Sequence, residues 1–124
     1  MLKKSLFIFC ILCFPTWGYA FTASQNGNNI DVHLTEPTTN KTGTPLVDLG
    51  KVSIYSNTIK TTEATASALT GGGIRTISFP HGVGVDQETN FSVYATASDT
   101  TGNESLPSTT VSVRVDKLAP APPQ

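Results

Sequence analysis

Between residues 91 and 98 apolar and polar side chains alternate without a break: Phe91, Val93, Ala95 and Ala97 fall on one side, Ser92, Tyr94, Thr96 and Ser98 on the other. A period of two marks extended backbone with one face buried, because successive side chains of a strand point in opposite directions. The pattern recurs in Ile30, Val32 and Leu34, where Pro37 ends the run because it cannot donate to a ladder. It recurs again in Leu49 to Tyr55, with Val52 and Ile54 on one face, in Ile74 to Phe79, with Ile77 and Phe79 together, and in Val111, Val113 and Val115. Weak alternation from Thr58 to Thr62 predicts a short edge strand followed by a loop to Leu69. After residue 20 no window sets apolar residues at helical spacing for two turns. Turn residues recur about every ten positions, so the chain is predicted to be all-β, a sandwich or barrel of six or seven short strands.

The first twenty residues have another character. Lys3 and Lys4 precede an apolar stretch from Leu6 to Phe14, then Pro15 and the small residues Gly18 and Ala20, which is the three-part form of a secretory signal cut after Ala20. The apolar stretch is well short of the roughly 20 residues a spanning helix needs, so no membrane span is expected after cleavage. Both cysteines, Cys10 and Cys13, lie in this leader and would leave with it. The remaining 104 of 124 residues are enough for one domain, which must hold together by its core rather than by disulfides. Without Lys3 and Lys4 the balance is 6 basic against 9 acidic residues, a net −3, which argues against nucleic acid as a partner.

Few residues have the spacing that chemistry requires. No serine sits in a G-x-S-x-G elbow and no paired acids suit glycoside hydrolysis, so no catalytic residue is assigned and an enzyme is not expected. Asp99, followed by Gly102, Asn103 and Glu104, lacks the dense oxygen donors of a calcium loop and reads as a carboxylate capping its own turn, with Gly102 at positive φ. His33 and His81 are separated and read as solvated surface residues, so neither a metal site nor a cofactor is assigned. Gly71-Gly72-Gly73 lacks the Lys-Ser/Thr of a phosphate cradle and reads as a hinge between strands.

The stretch from Phe91 through Asp99, Gly102 and Asn103 to Ser105 resembles the sixth strand and following turn of bacterial fibronectin type III domains, and Asn40 to Tyr55 resembles the loop and third strand of that family. The chain departs from the family at Leu34, where a Trp is usual, and at Val52 and Phe91, where a Tyr is usual. Phe91 lacks the hydroxyl of the tyrosine corner, about 0.5–1.5 kcal/mol. The resemblance implies a seven-stranded immunoglobulin-like β-sandwich over residues 28–116, after a leader at 1–20 and a short lead or first strand at 21–27, with a Pro-rich tail or linker at 117–124. It also implies that the third, sixth and seventh strands share a sheet. Tyr55, Tyr94 and Arg114, all facing outward by parity, would then form an exposed aromatic and cationic patch, of the residue types enriched at interface hot spots. Ordinary cross-strand packing on a solvated sheet is the plainer alternative. By analogy the expectation is a secreted or periplasmic, monomeric, non-catalytic module for protein–protein interaction or adhesion at the envelope or outside the cell. The alternative is an accessory or spacer of a polysaccharide-degrading system, which fits less well because the only tryptophan, Trp17, belongs to the leader.

Overall fold

The computed structural model describes residues 21–124, so the leader expected at 1–20 lies outside the described residues. Seven strands follow: β1 (Thr22–Asn26), β2 (Asn29–Thr35), β3 (Leu49–Ser56), β4 (Ile59–Thr65), β5 (Ile74–Pro80), β6 (Glu88–Asp99) and β7 (Val111–Asp116). They form two antiparallel sheets, a three-stranded one in the order β1-β2-β5 and a four-stranded one in the order β4-β3-β6-β7. The inward residues of both meet in one core. Ile30, Val32, Leu34, Ile77 and Phe79 come from the first sheet, and Val52, Ile54, Val93, Ala95, Val113 and Val115 from the second. Each larger side chain buried this way contributes about 1.5–3 kcal/mol, which is what holds the layers face to face.

The alternating runs become strands where expected, and two weakly patterned segments join them. Residues 22–26 pair with β2 in full register, from Thr22 opposite His33 to Asn26 opposite Asn29, around a two-residue turn in which Gly27 has φ +61°. The edge strand β4 runs on to Thr65 rather than stopping near Thr62. Most of its side chains are polar, with Ala64 packing against the core, as suits a strand at the rim of the sheet, so alternation marks it poorly.

The glycine triplet is packed rather than hinged. The Glu36 side chain is wholly buried where β2 ends, and its carboxylate accepts from Ser67 N (3.0 Å), Ser67 Oγ (2.6 Å), Gly73 N (3.3 Å) and Arg75 Nη1 (2.6 Å). Glu36 N in turn donates to Gly73 O at 2.8 Å. Gly71, at φ +70°, passes so close to Pro37 that a Cβ there would stand 1.8 Å from the Pro37 carbonyl oxygen. A buried carboxylate therefore clasps the loop between β4 and β5.

His81 also differs from the expected solvated residue. It is buried, its Nδ1 accepts from Val83 N (2.9 Å), and Nε2 lies 2.9 Å from Gly27 O, which assigns the proton to Nε2. It ties the β1–β2 turn to the loop after β5. His33 Nδ1 lies 3.0 Å from Thr76 Oγ1 across the β2–β5 pair. One end of the sandwich, the Lys117 end, thus carries the 27–28 and 57–58 turns and the 81–87 loop. The opposite Phe21 end carries the 36–48, 66–73 and 100–110 connections.

Candidate functional site

β3 and β6 are neighbours, and their register sets Tyr55 directly opposite Tyr94 on the face away from the core. Side chains paired this way have Cβ atoms about 4.5–5.5 Å apart, so two aromatic rings have to stack or splay. They stack: the centroids are 5.0 Å apart and the planes 8° from parallel. An aromatic pair of this kind contributes about 0.5–1.5 kcal/mol beyond its buried area. Each ring covers one face of the other, and both residues remain half-buried.

The 100–110 connection holds the pair in place. Asp99 closes its turn as the sequence indicates: Oδ1 accepts from Thr101 N (3.0 Å) and Asn103 N (2.9 Å), Oδ2 from Asn103 Nδ2 (2.9 Å), and Gly102 sits at φ +96°. Side-chain and backbone bonds from Asn103, joined by Thr101, hold the Asp99 carboxyl down at about 2. The chain then runs back beside β6. Ser105 N donates to Ala97 O and Ser108 N to Ala95 O, both at 2.8 Å. Ala97 N and Ala95 N donate in return to Ser105 Oγ and Ser108 Oγ, both at 2.9 Å. Serine hydroxyls thus stand in for the carbonyls of a ladder and close the β6 edge.

Glu104, bridged to Ser98 in this register, reaches the tyrosine pair. Its Oε2 accepts from Thr96 Oγ1 and, at 2.8 Å, from the Tyr55 hydroxyl. Those two bonds, Thr96 first, hold the Glu104 carboxyl below the usual range, and the bond to Glu104 pushes the Tyr55 phenol up. On the far side Glu63 lies between Lys51 (3.0 Å) and Lys60 (3.1 Å), and Lys60 is the cross-strand neighbour of Tyr55. These exposed ion pairs add little stability but set alternating charge beside the aromatic edge. Ser53, the next outward residue on β3, is 1% exposed, and its Oγ has no partner among the described residues.

Arg114 stands apart. It is on the same sheet face, but opposite Asn90, four residues of β6 from Tyr94 and so roughly 13 Å along the strand. Its Nη2 is 2.6 Å from both Glu88 carboxylate oxygens. The structure therefore brings Tyr55 and Tyr94 together, adds Glu104, Lys60 and Glu63, and leaves Arg114 in a separate ion pair. The outward parity of Thr96 and its separation from the turn at Asp99 were the available signals for Glu104, but neither measures the 49 residues between Glu104 and Tyr55.

Among the described residues no three His, Cys, Asp or Glu side chains converge as metal ligands, and no helix is long and apolar enough to cross a membrane. No protein-family model, curated protein or solved structure matches the chain. The class is the one its fold defines, an all-β sandwich of a three-stranded and a four-stranded antiparallel sheet.

Proposed function

We propose that this chain is an exported, non-catalytic module of the fibronectin type III kind, used for protein–protein interaction or adhesion at the cell envelope or outside the cell. Support for the family comes from the third, sixth and seventh strands sharing a sheet, in line with the resemblance of residues 40–55 and 91–105. The observation that carries the functional reading is the parallel, half-buried Tyr55–Tyr94 pair on the outer sheet face, with Tyr55 held by Glu104. Tyrosines held this way present a large amphipathic contact with little side-chain entropy left to lose, the property that makes the residue common at hot spots. The polysaccharide reading is kept second because the only tryptophan, Trp17, belongs to the expected leader, and sugar-stacking platforms rely on large aromatic faces.

The test compares the protein with its Tyr55→Ser/Tyr94→Ser variant, matched by circular dichroism, in cross-linking to envelope and extracellular fractions and in retention on polysaccharide columns. Partners cross-linked to the parent and lost from the variant are the expected result. Equal cross-linking by both proteins, or retention on polysaccharide that survives the substitutions, would overturn the reading.

A further inference from the structure

The two sheets end in the outer strands β1, β5, β4 and β7, and the bonds that flank the β2–β5 ladder show which backbone groups of β5 face outward. Glu36 N donates to Gly73 O (2.8 Å) and His81 N to Asn28 O (3.1 Å), in the register that sets Thr35 opposite Ile74 and Asn29 opposite Pro80. Bonded and non-bonded pairs alternate in an antiparallel ladder. Arg75, Ile77 and Phe79 therefore bond to β2, while Ile74, Thr76, Ser78 and Pro80 turn their N–H and C=O groups away from it. Pro80 has no N–H and stands where the ladder needs none. Among the described residues β5 pairs with β2 alone, and no loop bonds the backbone of Ile74, Thr76 or Ser78.

The other edges are interrupted or charged. The Gln25 side chain takes the Asp116 N–H at 2.9 Å, so the edges of β1 and β7 block each other. The β3–β4 ladder is broken by a bulge at Ile54/Tyr55, and β4 carries Lys60 and Glu63. Bulges and charges are the devices that keep edges from pairing. On β5 the ladder runs without a shift and the strand has neither Lys nor an acid. Its one charged residue, Arg75, is paired with Glu36 at 2.6 Å. Ile74 is 61% exposed, and Thr76, Ser78 and Pro80 are exposed with it. Phe21, where the described residues begin, adjoins β1 at the other edge of this sheet.

An open edge of this kind takes another extended strand, and β5 is complementary to itself. Two copies set antiparallel with Thr76 opposite Thr76 place Ile74 opposite Ser78 on both sides of the two-fold axis. Each copy then gives the N–H groups of Ile74, Thr76 and Ser78 and receives three in return, so every outward group of these residues is bonded. Centring the pair on Ile77 instead would set Pro80 opposite Ile74 and leave the Ile74 C=O without a donor. No like charges meet along the edge, and the two Thr76 side chains meet as a Thr–Thr pair, a favourable cross-strand combination.

We propose that two copies of this chain join through β5, antiparallel and centred on Thr76, making one six-stranded sheet from two three-stranded ones. The contact is isologous, so it closes as a symmetric dimer that uses up both open edges, in place of the monomer expected from the sequence.

Sedimentation velocity of the purified protein over a wide concentration range is expected to show a monomer–dimer equilibrium. Exchange of the Ile74, Thr76 and Ser78 amides should slow as concentration rises, with the core amides unchanged. In an equimolar mixture of labelled and unlabelled protein, isotope-filtered spectra should show an NOE between Arg75 Hα and Ile77 Hα of different copies, the non-bonded pair of this register. Thr76→Pro removes a central N–H from each copy and is expected to weaken dimerisation by at least about tenfold. Should that variant fold poorly, Thr76→Lys keeps the strand and sets like charges opposite each other, with the same loss expected. Concentration-independent sedimentation, self-association without slowed exchange at these three amides, absence of the NOE, or a dimer that survives Thr76→Lys would each overturn the proposal.

Discussion

Replacing Glu36 by Gln keeps the shape of the side chain and removes its charge. Four donors converge on the carboxylate, from Ser67 N, Ser67 Oγ, Gly73 N and Arg75 Nη1. Gln offers one acceptor oxygen and turns an NH2 group toward groups that also donate. Breaking a buried ion pair from one side costs about 3–5 kcal/mol, but the Arg75 side chain is 25% exposed and recovers some hydration, so about 2–4 kcal/mol is expected. For a domain of this size that lowers Tm by roughly 8–32 °C, at about 4–8 °C per kcal/mol. Urea and thermal melts followed by circular dichroism give both quantities. The double variant Glu36→Gln/Arg75→Met should cost less than the sum of the two single changes, because the charge left behind by the first is gone. The pH dependence has a definite sign. Burial, the largest influence, raises the Glu36 carboxyl, but bonds from Ser67, Arg75 and Gly73 together bring it below its usual range. Its contribution is therefore present above the unfolded glutamate value and is lost as pH falls through the lower folded one. A loss below about 1 kcal/mol for Glu36→Gln, or additive single and double variants, would refute the view of Glu36 as a clasp.

Other substitutions probe other parts of the molecule. Gly71→Ala forces a Cβ onto the Pro37 carbonyl at φ +70° and is expected to cost about 2–5 kcal/mol in urea melts, whereas a neutral result would mean the loop is not docked. Thr58, a β-branched residue at φ +70° in the β3–β4 turn, should yield about 0.5–1 kcal/mol of added stability on change to Gly, and a loss would contradict the strain. The Asp99 carboxyl should titrate near 2 by carbon-detected NMR, and because its folded value is depressed its contribution is present above the unfolded value of about 3.9 and fades below it; a midpoint near 4 would contradict the turn. Ser105→Ala/Ser108→Ala removes the acceptors of the Ala95 and Ala97 amides, so hydrogen exchange there should quicken with the core amides unchanged.

Parity of side chains made the core legible. Ile30, Val32 and Leu34, then Val93 and Ala95, then Val113 and Val115 all alternate in sequence and all lie inside. Local chemistry was legible too, since Asp99 closes a turn made from residues within four positions of it. What parity cannot supply is position along a strand. It set Tyr55, Tyr94 and Arg114 on one face, but only the pairing register puts Tyr94 opposite Tyr55 and Arg114 opposite Asn90. Glu36 and His81 were illegible for a related reason: no local pattern marks Glu36 as buried, and a His in a glycine-bearing loop reads as solvated, until partners 31 to 54 residues away are brought to them.

Methyl-to-methyl NOEs across the gap between the sheets measure the packing of the two layers most directly. Contacts from Ile30, Val32 and Leu34 to Val52, Ile54, Val93 and Val113 are expected, unchanged by a chelator or a reductant. NOEs confined to residues within each sheet, or cross-sheet NOEs that vanish on chelation, would show that these seven strands do not close into a sandwich on their own core.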